Sequence, residues 1–114
     1  MRLTTSGAVG IVYIMSAHLL YRDRITIAER QFVEMVVWQV SEPLKGSLHF
    51  FKYRLAFVVD GRCVLRYDNE VGKGDHRHSG GEEQPYNFST PQALLSDFWH
   101  DVDTWRDSNG NRNP

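Results

Sequence analysis

Alternating apolar and polar positions mark four extended segments before residue 70, and a helical stripe follows residue 90. Leu19 to Ile27 reads as a strand with charged Arg22, Asp23 and Arg24 in its middle. Phe32 to Val40 is richer in β-formers, with Phe32, Val33, Val36, Val37, Trp38 and Val40. Ser41 to Ser47 contains Pro43 and Gly46 and reads as a loop. Phe50 to Val59 and Cys63 to Asn69 are the third and fourth strands, joined through Asp60-Gly61, a strong two-residue hairpin signal. Such a turn pairs Val59 with Arg62. Carried along the strands, it sets Phe57 opposite Val64, Leu55 opposite Arg66 and Tyr53 opposite Asp68. That register gathers Tyr53, Arg54, Arg66 and Asp68 at one end of the sheet.

Gly72, Gly74, Gly80 and Gly81 make residues 71–83 a loop, with a short extended piece over Asp75–His78. Tyr86-Asn87-Phe88 reads as a last short strand. Ser89-Thr90-Pro91-Gln92 then opens a helix, with Ser89 or Thr90 as its cap and Pro91 in its first turn. Leu94, Leu95, Phe98, Trp99, Val102 and Trp105 form its apolar stripe, and Asp97, Asp101 and Asp103 its wet face. The expected fold is α+β: a four- or five-stranded antiparallel sheet with a C-terminal helix packed on one face.

A chain of 114 residues is one domain, large enough to bury a core without staples. We divide it into an N-terminal extension or flexible arm over 1–14, a domain over 15–107 and a disordered tail over 108–114. The apolar Ala8–Met15 run behind Arg2 is a poor signal peptide, being short and lacking a cleavage site. Met15 is an alternative start. A lone cysteine, Cys63, excludes an internal disulfide and any multi-cysteine zinc site, and suits the cytosol. Cys63 reads as a packing residue. No apolar run is long enough to span a membrane as a helix. The overall charge of −1 gives no global nucleic-acid signature, but residues 1–78 carry +3 and residues 79–114 carry −4. A mildly basic sheet could therefore bind a polyanion on one face, although small domains often divide charge in this way.

The densest chemistry lies in Arg66-Tyr67-Asp68-Asn69-Glu70-Val71-Gly72-Lys73-Gly74-Asp75-His76-Arg77-His78, which holds three carboxylates, three cations and two imidazoles. Together with Lys52-Tyr53-Arg54-Leu55, Asp60-Gly61 and Pro85-Tyr86, this stretch resembles the TumE family of bacterial toxin–antitoxin toxins, from about Ser16 to Trp105. Residues 1–14 fall outside the resemblance. It implies a small growth-inhibiting toxin neutralised by a cognate antitoxin, usually one bearing a helix-turn-helix. RNA cleavage is the activity expected of such a toxin by analogy, without a cofactor.

Metal-independent RNA cleavage needs a base, an acid and cations for the developing phosphorane charge. His76 and His78 are candidates for base and acid, and Glu70 or Asp75 could orient an imidazole or act as base. Lys73, Arg66, Arg77 and Arg54 could hold phosphate, with Tyr53 and Tyr67 beside the substrate. Asp68 and Asn69 are orienting residues, and Gly72 and Gly74 allow close backbone approach. One alternative is a divalent metal held by His76 and His78 with Asp68, Glu70 or Asp75, opposed by the three nearby cations. Another is a salt-bridged cap on the sheet end. Arg22 and Arg24 share one strand face and could track phosphates, or protect an edge strand. His49, with Lys52 three residues on, could join the same sheet end, and His18 and His100 read as surface residues. A non-enzymatic protein that blocks a cellular target by contact is the competing function, and a homodimer is left open.

Overall fold

The computed structural model describes residues 2–6 and 12–110. Seven strands follow one another in space in chain order: β1 (Arg2–Ser6), β2 (Val12–Ala28), β3 (Gln31–Val40), β4 (Phe51–Val59), β5 (Arg62–Asp68), β6 (His76–Ser79) and β7 (Glu82–Pro85). Every neighbouring pair is antiparallel. Strands β2–β7 make a six-stranded sheet, and β1 pairs only with Val12–Ser16 at the start of the long β2. The single helix, α1 (Pro91–Ser108), packs against one face.

The α+β reading holds, with more strands than expected. The two extra strands of the sheet are β6 and β7, which lie on either side of the Gly80-Gly81 turn. Strand β7 is Glu-Glu-Gln-Pro and fully exposed, so no apolar alternation betrays it. Tyr86–Phe88, read as a strand, is irregular, and the pairing ends at Pro85. At the N-terminus, residues 2–6 and 12–14 lie in β1 and β2. Residues 1 and 7–11 of the expected arm, and 111–114 of the expected tail, lie outside the described residues.

The hairpin turn forms as its sequence demands. Asp60 and Gly61 both adopt positive φ, 50° and 76°, as a two-residue turn of this hand requires. Beyond it the register departs from expectation. Val59 pairs with Arg62 and Val58 with Cys63, but a bulge then sets Phe57 opposite Leu65, Leu55 opposite Tyr67 and Arg54 opposite Asp68. One inserted residue reverses which face every later side chain of β5 occupies. The expected register, with Tyr53 opposite Asp68 and on one face with Arg66, is therefore wrong, although Tyr53, Arg54, Arg66 and Asp68 still lie at one end of the sheet. Tyr53 and Tyr67 share the face under the helix, while Arg54, Arg66 and Asp68 share the opposite one. The physical reason is burial: the shifted register matches apolar with apolar and avoids burying Arg66 against Leu55.

The core is built from that covered face. Val33, Met35, Val37, Tyr53, Leu55, Phe57, Leu65 and Tyr67 meet Leu94, Phe98 and Val102 of α1. Thr90 caps the helix, its Oγ1 accepting from the Ala93 N–H at 3.1 Å, and Pro91 follows at the first helical position. Burying these side chains supplies about 1.5–3 kcal/mol each for the larger apolar ones. The helix "wet face" is only partly wet. Asp97 accepts the Tyr86 hydroxyl at 2.6 Å, Asp101 accepts from the Tyr67 hydroxyl and the Arg77 Nε–H, and Asp103, exposed like Asp97, alone has no such partner among the described residues. Cys63 is exposed rather than packed, and its thiol donates to the Leu65 carbonyl at 3.4 Å.

Candidate functional site

The stretch that looked like one cluster in sequence divides among three places, because a strand sends alternate side chains to opposite faces. His76 and His78 project from β6 on the open face of the sheet, beside Asp68 and Arg66 of β5. Arg77 and the Asp75 carboxyl project on the helix side. Glu70 and Lys73 stay on the exposed loop, 3.9 Å apart.

Asp75 organises the helix-side group. Its Oδ1 accepts the Ser47 hydroxyl at 2.8 Å, and its Oδ2 accepts the Tyr53 hydroxyl at 2.7 Å. Oδ2 also lies 2.6 Å from Nε2 of His49. His49 Nδ1 accepts the Phe51 N–H at 3.2 Å, so the proton sits on Nε2 and is donated to Asp75. Both His49 nitrogens are thus engaged, and its ring stacks on Phe88 at 3.8 Å. Asn69, almost fully buried, accepts the Tyr53 N–H at 2.9 Å and donates to the Phe51 carbonyl at 2.7 Å. These bonds tie the 41–50 loop to the 69–75 loop. The glycines complete the joint. At Gly74, with φ of 76°, a Cβ would stand 2.7 Å from the Gly46 carbonyl oxygen, and the Gly72 N–H donates to the Lys45 carbonyl at 2.6 Å. Gly74 therefore serves the close approach of Gly46.

Arg77 is also held from within the protein. Its Nε lies 2.6 Å from Asp101, whose carboxylate also accepts the Tyr67 hydroxyl. The hydrogen bond to Asp101 raises the Arg77 pKa despite its partial burial. Burial, and then hydrogen bonding to an aspartate, pushes the Tyr53, Tyr67 and Tyr86 hydroxyls far above the usual tyrosine value. All three remain protonated donors and lock the loops and the helix to the sheet.

The open face is different in kind. Cross-strand pairing aligns two rows on it. One runs Arg22, Val36, Arg54, Asp68, His76 and Pro85. The other runs Arg24, Glu34, Ala56, Arg66, His78 and Glu83. Val36 and Ala56 give a small apolar floor. Three shallow depressions line this side in succession, of about 380, 180 and 180 Å³; Arg54 borders the first two and Arg66 the last two. No helix covers them.

Hydrogen bonding sets the protonation pattern of the two imidazoles. His78 Nε2 lies 3.0 Å from the Arg66 guanidinium, which only donates, so this nitrogen is an acceptor and the ring proton is on Nδ1. His78 Nδ1 is 3.9 Å from Glu83. His76 Nδ1 donates to the Gly74 carbonyl at 3.1 Å, and its Nε2 stands 3.6 Å from Glu83. Arg66 Nε lies 2.9 Å from the buried Asp68 carboxylate, but the direction is wrong for a hydrogen bond, so the contact is an ion pair. Among the described residues, Arg22, Lys52 and Arg54 form no ion pair. Nor does any group of three His, Cys, Asp or Glu side chains stand close enough to hold a metal.

Of the residues singled out in the sequence, Arg54, Arg66, Asp68, His76 and His78 come together. Tyr67, Asp75 and Arg77 do not join them, and Tyr53 borders the same depression while its hydroxyl turns to Asp75 on the helix side. Val36, to which the sequence gives no role, lies on the same face, as do Lys52, Arg22 and Arg24. Their signal was the two-residue spacing along β2–β4, readable only once the true register is known.

No curated protein and no solved structure matches the chain. The family model described as "Toxin TumE" matches residues 6–106, and so begins upstream of the Ser16 at which the resemblance was read. With nearly the whole chain covered, this protein belongs to the TumE toxin family, whose members imply a cognate antitoxin as partner.

Proposed function

We propose that this toxin acts on RNA, binding it across the open sheet face and cleaving it beside β6. The observation that carries the reading is the composition of that face. It holds two imidazoles on one strand next to Arg66, with Arg54, Lys52 and Arg22 leading away from them. In the proposed step His76 Nε2 takes the proton of a ribose 2′-hydroxyl. The 2′-oxygen attacks the adjacent phosphorus and the bond to the 5′-oxygen breaks. That oxygen takes the Nδ1 proton of His78 acting as an imidazolium. The His78 Nε2, protonated from solvent once Arg66 turns to the phosphate and facing Asp68 3.8 Å away, keeps its proton, so that a neutral ring remains. Arg66 and Arg54 oppose the charge on the phosphorane oxygens. The products are a 2′,3′-cyclic phosphate and a 5′-hydroxyl. No metal enters the step.

The same reading puts the chain in the cytoplasm. It pairs the toxin with an antitoxin of helix-turn-helix type that covers the basic face with an acidic segment near Arg54, Arg66 and Lys73. A second reading, inhibition by contact without catalysis, is favoured by one observation: Arg66 already occupies the His78 Nε2 lone pair.

Incubating the purified chain with a defined RNA in chelator separates these readings. Cleavage to a cyclic phosphate, lost in folded His76→Ala but with binding kept, is the expected result. Binding without cleavage in the unaltered chain leaves the contact reading. If RNA is neither bound nor cut, the RNA reading falls.

A further inference from the structure

The open face also indicates which form of RNA it takes. Its cations without ion pairs among the described residues, Arg22, Lys52 and Arg54, lie on β2 and β4, two strand spacings apart. They therefore cluster within about 10 Å. Modules that follow duplex RNA by shape contact successive minor grooves over about 16 base pairs. A cluster this small touches one or two phosphates of a single strand.

Beside these cations stands an aromatic ring. Trp38 pairs with Lys52 in the β3–β4 ladder and is half-buried on the same face. The Arg22 guanidinium sits over it, 5.7 Å from the ring centroid. Trp38 also packs on the small buried cluster of Ala17, Val40 and Leu44, which fixes the ring in place. Leu19, opposite Trp38 on β2, is nearly half exposed and widens the platform. A fixed aromatic ring flanked by an arginine and a lysine can stack an unpaired base while the cations hold its phosphate. In a duplex the base faces are hidden, and this ring has nothing to stack on.

Resting on the RNA reading above, we infer that the substrate is single-stranded RNA. Its unpaired base stacks at Trp38 and Arg22, and its backbone runs over Arg54 toward His76 and His78. The Trp38 platform and the imidazoles are separated by β4 and β5 and so engage different nucleotides.

The test uses the full chain and a 2′-O-methyl RNA oligomer, which cannot undergo cleavage through its 2′-oxygen. Binding is compared with the blunt duplex of the same sequence. The single strand is expected to bind at least tenfold more tightly. Trp38→Leu should weaken single-strand binding on the order of tenfold or more, with the salt dependence unchanged, and Trp38→Phe should retain most of the affinity. A bromouridine-substituted strand cross-linked to the unaltered chain should map to the Gln31–Val40 peptide, a readout that needs no variant. Equal or tighter duplex binding overturns the inference, as does folded Trp38→Leu binding like the unaltered chain, or a cross-link confined to other peptides. If neither form binds and no RNA is cut, the RNA reading itself has failed.

Discussion

Replacing Asp75 tests whether a conspicuous carboxylate beside two histidines does chemistry or holds the fold. In Asp75→Ala the Ser47 hydroxyl, the Tyr53 hydroxyl and the His49 Nε2–H all lose their acceptor. Tyr53 and Ser47 are buried and the His49 side chain is only 15% exposed, so water can reach the vacated position only from the depression that His49 and Asp75 line. A stranded buried donor costs about 1–3 kcal/mol. The three share one acceptor and do not add fully, so the expected loss is about 3–5 kcal/mol. That is a large part of the 5–15 kcal/mol typical of a domain. Urea unfolding should show the midpoint falling by about 1.5–3 M. Asp75→Asn keeps one carbonyl oxygen and should lose about half as much. Toxicity would then fall with the amount of folded protein, and a folded fraction of Asp75→Asn would keep its activity. An Asp75→Asn chain with an unchanged urea midpoint and no activity would refute the bracing role and return Asp75 to the catalytic residues.

Gly74→Ala should destabilise the chain by about 2–4 kcal/mol, because a Cβ strikes the Gly46 carbonyl, whereas Gly72→Ala, with open space at its Cβ, should cost only about 1–2 kcal/mol for its positive φ; thermal unfolding compares the two. Arg54→Gln and Lys52→Gln should each weaken RNA binding and reduce the slope of log affinity against log salt by about one, while Arg77→Gln, whose guanidinium is held by Asp101, should leave that slope unchanged. The buried tyrosines predict a pH effect with a definite sign. Their folded pKa values lie above the ordinary value of 10.0, so only the unfolded chain ionises near that pH. Their stabilisation is complete below about pH 10 and is lost as pH rises beyond it, so tyrosinate absorbance from these rings should appear together with alkaline unfolding.

Much of the fold was legible because local signals agreed. Asp60-Gly61 fixed a hairpin, Thr90-Pro91 a helix start, and the stripe of Leu94, Phe98 and Val102 its buried face. The site was less legible, for two physical reasons. A bulge beside Val58 moved Arg66 and Asp68 to the face opposite Tyr53, and a two-residue turn says nothing about a bulge further along the strand. A hint was present, since the unshifted register set Leu55 against Arg66. The second reason is long-range docking. Gly46 meeting Gly74, and Ser47 and His49 meeting Asp75, joins residues 26 to 28 positions apart, and no periodicity encodes that. The loop therefore joins two distant segments of the chain, while His76 and His78 lie on the open strand face beside it.

The central claim is that RNA engages the sheet face away from the helix, and methyl NMR distinguishes the two faces directly. Val36 and Val58 lie on the open face, and Val33, Val37 and Leu55 lie under the helix. On titration with the 2′-O-methyl single strand, the Val36 and Val58 methyl resonances should shift progressively, Val36 most because it lies between Arg22 and Arg54. Those of Val33, Val37, Leu55 and Leu94 should stay within the small changes expected of a packed core. Shifts concentrated under the helix, or none on the open face at RNA concentrations that saturate binding, would contradict the account.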